Sequence, residues 1–226
     1  QAALVLASAD PAAELAKTRS YYSSLVASAV CQTGDKAIDE CFTWAAINLD
    51  YNWYRGLGWV ESIHHWVTMF TQLFIPGADH LGQADRSKAC LKAHLEQALG
   101  QDGRMLSMNL TKKPWTAFGW NQYFLDSLGH YLRWTGDVGF AKEALPGVKR
   151  ILANTRERFD ADGNDLIGWD QQIGYQEDYV MAPRDSSSAT LNWMRMNKVG
   201  ELVARLAGDG QLRLKCRQSR ERAEQG

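Results

Sequence analysis

The chain has 226 residues, a net charge of −1, 45% hydrophobic residues and 23% charged residues. This near-neutral balance gives no indication of nucleic-acid or anionic-membrane binding, and no apolar run approaches the roughly 18 residues that span a bilayer. The four cysteines are scattered, which favours structural thiols. The unusual feature is nine tryptophans, because a surplus of this side chain indicates either core or a binding surface.

The first residues carry no basic segment and no intact signal peptide, so the sequence leaves the compartment open, and the oligomeric state as well. The run Leu-Val-Leu at residues 4–6 is typical of a short strand. We therefore expect residues 1–9 to be an exit strand or linker from a missing upstream domain. Residues 10–226 are expected to form one helical module.

Helical periodicity dominates this module. It predicts helices over residues 10–29, 35–53, 61–74, 83–99, 117–134, 138–159 and 186–206, and a last helix from residue 211. The helices over 61–74 and 117–134 are apolar on most sides, which predicts burial, whereas those over 83–99 and 138–159 are amphipathic. No strand is predicted after residue 10, and residues 105–108 are expected to pair locally at most.

Two kinds of turn separate these helices. Short Gly-Asp turns are predicted at residues 77–79, 136–137 and 208–209, and Asp-Gly turns that open long loops at residues 102–103 and 162–163. The unit recurs with a period of roughly 60–70 residues. Buried helices alternating with amphipathic helices predict concentric layers. The expected fold is therefore all-α, an incomplete α/α toroid of about three hairpins plus a leading helix.

Three connections, over residues 52–61, 102–120 and 160–185, are expected to meet at one face of this fold. They hold five of the nine tryptophans: Trp53, Trp59, Trp115, Trp120 and Trp169. Such rings stack on sugars, although core packing is an equally good explanation for each of them. Polar side chains for sugar hydroxyls would be Arg55, Asn121 and Gln176, with Tyr175 beside them.

The third connection also concentrates acids among aromatic residues. Asp170 follows Trp169, and the adjacent acids Glu177 and Asp178 lie between two tyrosines. Burial against aromatic rings and repulsion between neighbouring carboxylates both raise a carboxyl pKa. This is the property that a general acid needs near neutral pH. The alternative is that each acid caps a helix or pairs with a nearby arginine.

Several motifs together resemble a known family. They are Gly-Leu-Gly-Trp-Val-Glu at residues 56–61, Thr-Gly-Asp at 135–137, the acidic turn at 159–165 with Gly-Trp-Asp at 168–170, and the helix and turn at 186–209. The chain resembles, over nearly its whole length, the catalytic module of the six-hairpin (α/α)6 glycoside hydrolases. These include the glucoamylase, trehalase, processing-glucosidase and rhamnosidase types.

This resemblance implies hydrolysis of an oligosaccharide or polysaccharide by an inverting mechanism, with no cofactor and no metal. Asp170, Glu177 or Asp178 would be the general acid, and Glu61 is a further candidate. Glycoside hydrolysis needs two carboxyl groups, and in such families the second usually comes from a late hairpin. We therefore expect the chain alone to be inactive or nearly so.

Other functions stay open. A sugar epimerase on the same toroid would use paired histidines, for which His64 and His65 are candidates, and a polysaccharide lyase would need a basic cleft. A non-catalytic helical module that binds carbohydrate or protein is expected to have short loops at both ends. Residues 160–165 look like a calcium loop, but their glycine falls at the fourth position rather than the sixth, so we interpret them as a turn.

Overall fold

The computed structural model describes residues 9–60, 71–108, 114–115, 119–160, 162–167 and 187–226. These residues form eight α-helices: α1 Pro11–Ala27, α2 Lys36–Tyr51, α3 Thr71–His80, α4 Ala84–Ala93, α5 Gly119–Thr135, α6 Val138–Phe159, α7 Ser187–Ala207 and α8 Gly210–Gln225. Helix α4 continues into a π-helical turn, His94–Ala98. The predicted all-α class is confirmed. Within the described ranges, no helix has the length and apolar character needed to cross a membrane.

Aspartate caps begin four of the helices, two of them at the predicted Gly-Asp turns. The side chains of Asp10, Asp35, Asp137 and Asp209 accept hydrogen bonds from backbone N–H groups in the first turns of α1, α2, α6 and α8. These bonds satisfy donors that have no partner within a helix. Gly136 and Gly208 precede two of the caps with φ of 66° and 82°. A left-handed glycine followed by a capping aspartate therefore makes a short connection between helices.

The turn predicted at residues 77–79 is wrong, because α3 continues through Pro76 to His80. Ala78 and Asp79 are buried, and Gly77 lies close enough to α2 that an added Cβ would meet Leu49 at 3.4 Å. Packing thus holds this segment helical although proline removes one backbone donor. The chain turns instead at Gly82, whose φ is 73°.

Two short antiparallel strand pairs interrupt the helices; the first was not predicted, and the second is local pairing of the kind expected at residues 105–108. Strands β1 (Trp53–Tyr54) and β2 (Gly58–Trp59) form one pair, and β3 (Ser107–Met108) and β4 (Pro114–Trp115) form the other. The first pair reverses through Gly56, with a φ of 90°. Gly58 then passes so close to α4 that a Cβ would lie 2.2 Å from the Cys90 sulfur. Only glycine fits there, so the hairpin is packed tightly onto α4.

The helices contact one another in a regular order. Helix α5 contacts α3 on one side and α7 on the other, while α4, α6 and α8 each pack against the helix that precedes them. Helices α4 and α6 also contact the helix that follows. Buried apolar side chains from this set, including Phe124, Leu128, Ile151 and Val203, form one continuous core. Short turns join α3 to α4, α5 to α6 and α7 to α8, and we call their side of the molecule the short-turn end.

Two lysines join successive amphipathic helices at the short-turn end. Lys88 of α4 lies 2.8 Å from the Asp137 carboxylate that caps α6. Lys149 of α6 lies 2.6 Å from the Asp209 carboxylate that caps α8. Each capping aspartate therefore begins its own helix and also binds the amphipathic helix before it. Long connections lie at the opposite side, where α4 and α6 end and α5 and α7 begin, which we call the loop end.

Candidate functional site

The base of the second long connection is fixed by Asn121, in the first turns of α5. Its Oδ1 accepts a hydrogen bond from the backbone N–H of Met105 at 2.8 Å. Its Nδ2 donates to the Gly103 carbonyl at 3.3 Å and to Thr155 Oγ1 at 3.2 Å. Asn121 is only 5% exposed. Its amide therefore binds the loop to α5 and α6 and is not presented to a sugar hydroxyl, contrary to the sequence interpretation.

The base of the third long connection is organised by Asp165, which is 0% exposed. Its carboxylate accepts hydrogen bonds from Arg156 at 3.1 Å and from Arg222 at 2.6 Å. Trp193 Nε1 donates to it at 3.1 Å, and the Ser219 hydroxyl also donates to it. Two cations and two neutral donors thus satisfy one buried carboxylate, which joins the end of α6 to α7 and α8.

This network occupies the segment that resembles a calcium loop. Asp165 has a φ of 64°, and its backbone N–H donates to Asp160 Oδ1 at 3.1 Å. Burial raises the pKa of Asp160 above its usual value, against the hydrogen bond from that backbone N–H and the charge of Arg156. Across the described ranges, no three His, Cys, Asp or Glu side chains are placed to hold a metal ion. The segment is a hydrogen-bonded turn, as interpreted from its glycine position.

The third connection is also attached to the first turn of α7. The backbone N–H of Ile167 donates to Thr190 Oγ1 at 3.0 Å, and the Ile167 side chain is fully buried. This contact fixes the chain immediately before the segment in which the acids Asp170, Glu177 and Asp178 are predicted to act. The anchored bases of the second and third connections therefore lie at the same end of the helices.

The two tryptophans of the first connection pack against each other. Trp59 is 0% exposed and donates its Nε1–H to the Leu49 carbonyl at 2.8 Å. The Trp53 ring lies edge-on to the Trp59 ring at a centroid distance of 4.8 Å. The Arg86 guanidinium lies over Trp53 at 5.2 Å from its centroid. Trp59 is thus a core residue with no ring face open to a ligand, which corrects its assignment as a sugar-stacking residue.

The hairpin that carries these tryptophans extends along α4 rather than lying wholly at the loop end. Its base is near the first turns of α4, where Arg86 contacts Trp53. Its tip is near the π-helical turn that continues that helix, where Gln97 Nε2 donates to the Gly56 carbonyl at 3.0 Å. The exposed side chain of Arg55 adjoins this tip. The hairpin tip therefore lies at the loop end while Trp53 lies elsewhere, and the expected meeting of all three connections stays a prediction.

Most other predicted site residues fall outside the described structure. They are Glu61, His64, His65, Trp169, Asp170, Tyr175, Gln176, Glu177 and Asp178. Trp115 lies in β4 and Trp120 in the first turn of α5, and only their backbones are described. Their roles stay predictions.

One acid on α5 was missed in the sequence. Asp126 lies 3.0 Å from Arg195 of α7 and 3.3 Å from Gln122 Nε2. Burial nevertheless raises the pKa of Asp126 above its usual value, against the opposing charge of Arg195. Within residues 121–132 the partly exposed side chains are Tyr123, Asp126 and His130. Their spacing of three and four residues is the signal that would have identified one open face on a mostly buried helix.

Comparisons with known proteins add no assignment. No family model matches the chain, and no match was found among curated proteins or solved structures.

Proposed function

We propose that the chain is a section of a six-hairpin α/α toroid that hydrolyses a glycosidic bond in an oligosaccharide or polysaccharide, by inversion at the sugar carbon. The substrate would bind at the loop end. One of Asp170, Glu177 and Asp178 would protonate the leaving oxygen. The proposal leaves the second carboxyl group unassigned.

The observation that carries this proposal is the order of helix contacts. Helices α3, α5 and α7 contact one another in sequence, and a second helix follows each of them through a short turn. Repetition of such hairpins around an axis would make an inner and an outer ring. The long connections would then alternate with the short turns, as they do from α3 to α8.

The anchoring at the loop end supports a site there. Asn121 fixes the second connection, Thr190 fixes the third, and Gln97 fixes the hairpin tip beside Arg55. Catalytic side chains on loops need such rigid bases to keep their geometry. Asp126 adds a carboxyl group with a raised pKa on the open face of α5. At about 1.5 Å per residue, Asp126 lies roughly 10 Å along α5 from Gly119, the residue at which α5 begins at the loop end.

The test is a panel of oligosaccharides presented to the chain, with binding followed by calorimetry and hydrolysis by release of reducing ends. We expect binding to at least one sugar. Where hydrolysis is measurable, replacing the true general acid by its amide should reduce the rate by about 10²–10⁴-fold. The variants are Asp170→Asn, Glu177→Gln and Asp178→Asn, and NMR of the first-formed anomer tests inversion.

The matched control is Asp162→Asn, since Asp162 is an exposed acid at the start of the same connection and is not a candidate. It should leave binding and hydrolysis unchanged. Absence of binding to every sugar would contradict the whole proposal. Hydrolysis that survives all three amide variants would contradict the assignment of the acid and keep the glycosidase function.

A carbohydrate-binding module without catalysis is the second candidate. The structural roles of Trp59 and Asn121 remove two expected sugar contacts from both candidates, so the difference between them is catalysis alone. Tight binding without hydrolysis would support the binding module over the glycosidase. An unsaturated product that absorbs in the ultraviolet would indicate a lyase, and exchange of a sugar C–H proton with solvent would indicate an epimerase.

A further inference from the structure

A cluster of buried polar groups lies at the short-turn end, where α3, α4 and α5 meet. Asp79 of α3 is 1% exposed, and Ser87 of α4 is 0% exposed. His130 Nε2 of α5 is 3.5 Å from Asp79 Oδ2. Within the described residues, no hydrogen bond of good geometry is formed by the Asp79 oxygens, by Ser87 Oγ or by His130 Nε2, although Ser87 lies close enough to Asp79 to oppose the effect of burial on its pKa. Buried polar atoms are normally paired, so this concentration needs an explanation.

The charges around the cluster are largely engaged elsewhere. On α2, Asp50 binds Arg86; on α4, Lys88 binds Asp137; on α5, Asp126 binds Arg195 and Tyr131 donates to Asp137. Among the residues that the structure describes, the remaining groups near the pair are His80 of α3, exposed at the surface, and Arg133 of α5, also exposed. Asp79 therefore has His130 as its nearest partner of opposite possible charge.

We propose that Asp79, Ser87 and His130 form a proton-binding latch that closes the junction of α3, α4 and α5 when the pair holds one proton. With no proton, an ionised Asp79 is buried beside a neutral imidazole. With one proton, the pair is neutral overall, either as a carboxylic acid donating to its neighbour or as a carboxylate beside an imidazolium. With two protons, an imidazolium is left beside a neutral acid.

The two uncompensated states cost free energy because a buried charge without a partner is poorly solvated. The one-proton state leaves no net charge to solvate, and Ser87 can accept from or donate to the carboxyl group. The junction should therefore be most stable at intermediate pH. Burial raises the pKa of Asp79 and lowers that of His130, so it disfavours the charged form of each side chain and favours the one-proton form in which both are neutral.

Solvent can reach the latch through the histidine. The His130 side chain is 27% exposed while that of Asp79 is 0% exposed. The His130 ring is nearly parallel to the Trp134 ring, with centroids 6.3 Å apart, and the His80 ring lies 4.5 Å from Trp134. Trp134 is half exposed. A proton can thus bind His130 at the surface of α5 and change the charge next to a carboxyl group that solvent does not contact.

The first experiment is an NMR titration of the histidine ring protons in the whole chain, which has five histidines. The signal that disappears in His130→Gln identifies His130. Removing the carboxylate in Asp79→Asn should lower the His130 midpoint by about 1 pH unit, because an opposite charge at this distance favours the imidazolium. The exposed and distant Asp162→Asn should leave it unchanged. An identical midpoint in the native chain and Asp79→Asn would overturn the latch.

The second experiment measures amide exchange in α3 and α4 from about pH 4 to about pH 8, across the range in which Asp and His ionise, after correction for the intrinsic rate. Protection should pass through a maximum within this range in the native chain, at the pH where the pair holds one proton, and lose the maximum in both Asp79→Asn and His130→Gln. The two variants change opposite partners, so the failure of one to fold leaves the other to decide. A profile without a peak in the native chain would contradict the proposal.

Discussion

Asp165 and Asp79 are almost equally removed from solvent, at 0% and 1% exposure, yet their surroundings are opposite. At the loop end, Asp165 is bound by Arg156 and Arg222 together with two neutral donors. At the short-turn end, no hydrogen bond of good geometry reaches the Asp79 oxygens from the described residues, and Ser87 and His130 offset the burial of this carboxyl only in part. Burial alone therefore does not tell what a carboxylate contributes to a fold.

The difference separates two uses of a buried charge. A carboxylate with full compensation joins several helices, and removing one of its partners strongly reduces the stability of the fold. A carboxylate without compensation reduces stability in its ionised form and responds to pH instead. The anchored end of the molecule is where the candidate carbohydrate site lies, and a fixed base suits such a site. The opposite end is the one that we expect to respond to acid.

The largest expected effect is the loss of the Asp165 network. Asp165→Ala should reduce the free energy of unfolding by about 3 kcal/mol, because two arginines and a buried tryptophan N–H lose their acceptor. Alanine is also disfavoured at the positive φ of this residue. Urea unfolding measures the change. Asp165→Asn keeps the turn geometry and removes only the charge, so it should reduce the free energy of unfolding by less. A reduction below about 1 kcal/mol in Asp165→Ala would contradict the comparison of the two aspartates.

A change of opposite sign is expected for the other aspartate. Asp79→Asn should raise the free energy of unfolding at neutral pH by about 1–2 kcal/mol, since the amide has the same shape without a buried charge. The pKa of native Asp79 is raised by burial, so protonation favours the folded chain. The advantage of the variant should therefore be complete above the folded-state pKa of Asp79 and disappear as the pH falls through it. Thermal unfolding of the native chain and the variant at several pH values measures this difference. A variant that is less stable than the native chain at neutral pH would contradict the description of Asp79 as a poorly compensated buried charge.

The smallest effect is expected at Asp137, an ordinary partly exposed carboxylate that contrasts with both buried ones. Asp137→Ala should cost about 1 kcal/mol through the lost cap of α6. Lys88 and the backbone N–H of Phe140 hold the pKa of Asp137 below its usual value. Its stabilisation is therefore present above the unfolded-state pKa and is lost as the pH falls through the folded one. Lys88→Met keeps the cap and should cost a few tenths of a kcal/mol. Equal losses in the two variants, measured by urea unfolding, would mean that the ion pair dominates.

The helix pattern was predictable because its signals are local. Asp35, Asp137 and Asp209 are caps that can be recognised within a few residues, and glycines mark the short turns. Pro76 is also a local signal, but the burial of the residues after it overrides the signal and keeps α3 helical. That error placed Asp79 in a turn, so its burial within a helix junction was not foreseeable.

The candidate site was less predictable because it depends on contacts between distant segments. The sequence locates Trp59 and Asn121 in long connections, but it does not show which side of each connection faces the core. Asp165 was visible only as the last acid of a turn. Its partners Ser219 and Arg222 come from the far end of the chain, and spacing alone gives no reason to choose them.

The lysine links between successive amphipathic helices make the cap of each later helix depend on the helix before it. Lys88 of α4 completes the charge balance at the start of α6, and Lys149 of α6 does so at the start of α8. Deleting α8 would therefore take no lysine from the cap of an earlier helix, whereas deleting α4 would take one from α6. A hairpin added after α8 would likewise leave the existing links unchanged. The stack can thus be lengthened at its carboxyl side without loss of these links, whereas deleting α8 would leave the lysine links of earlier helices in place but remove Ser219 and Arg222 from the buried Asp165.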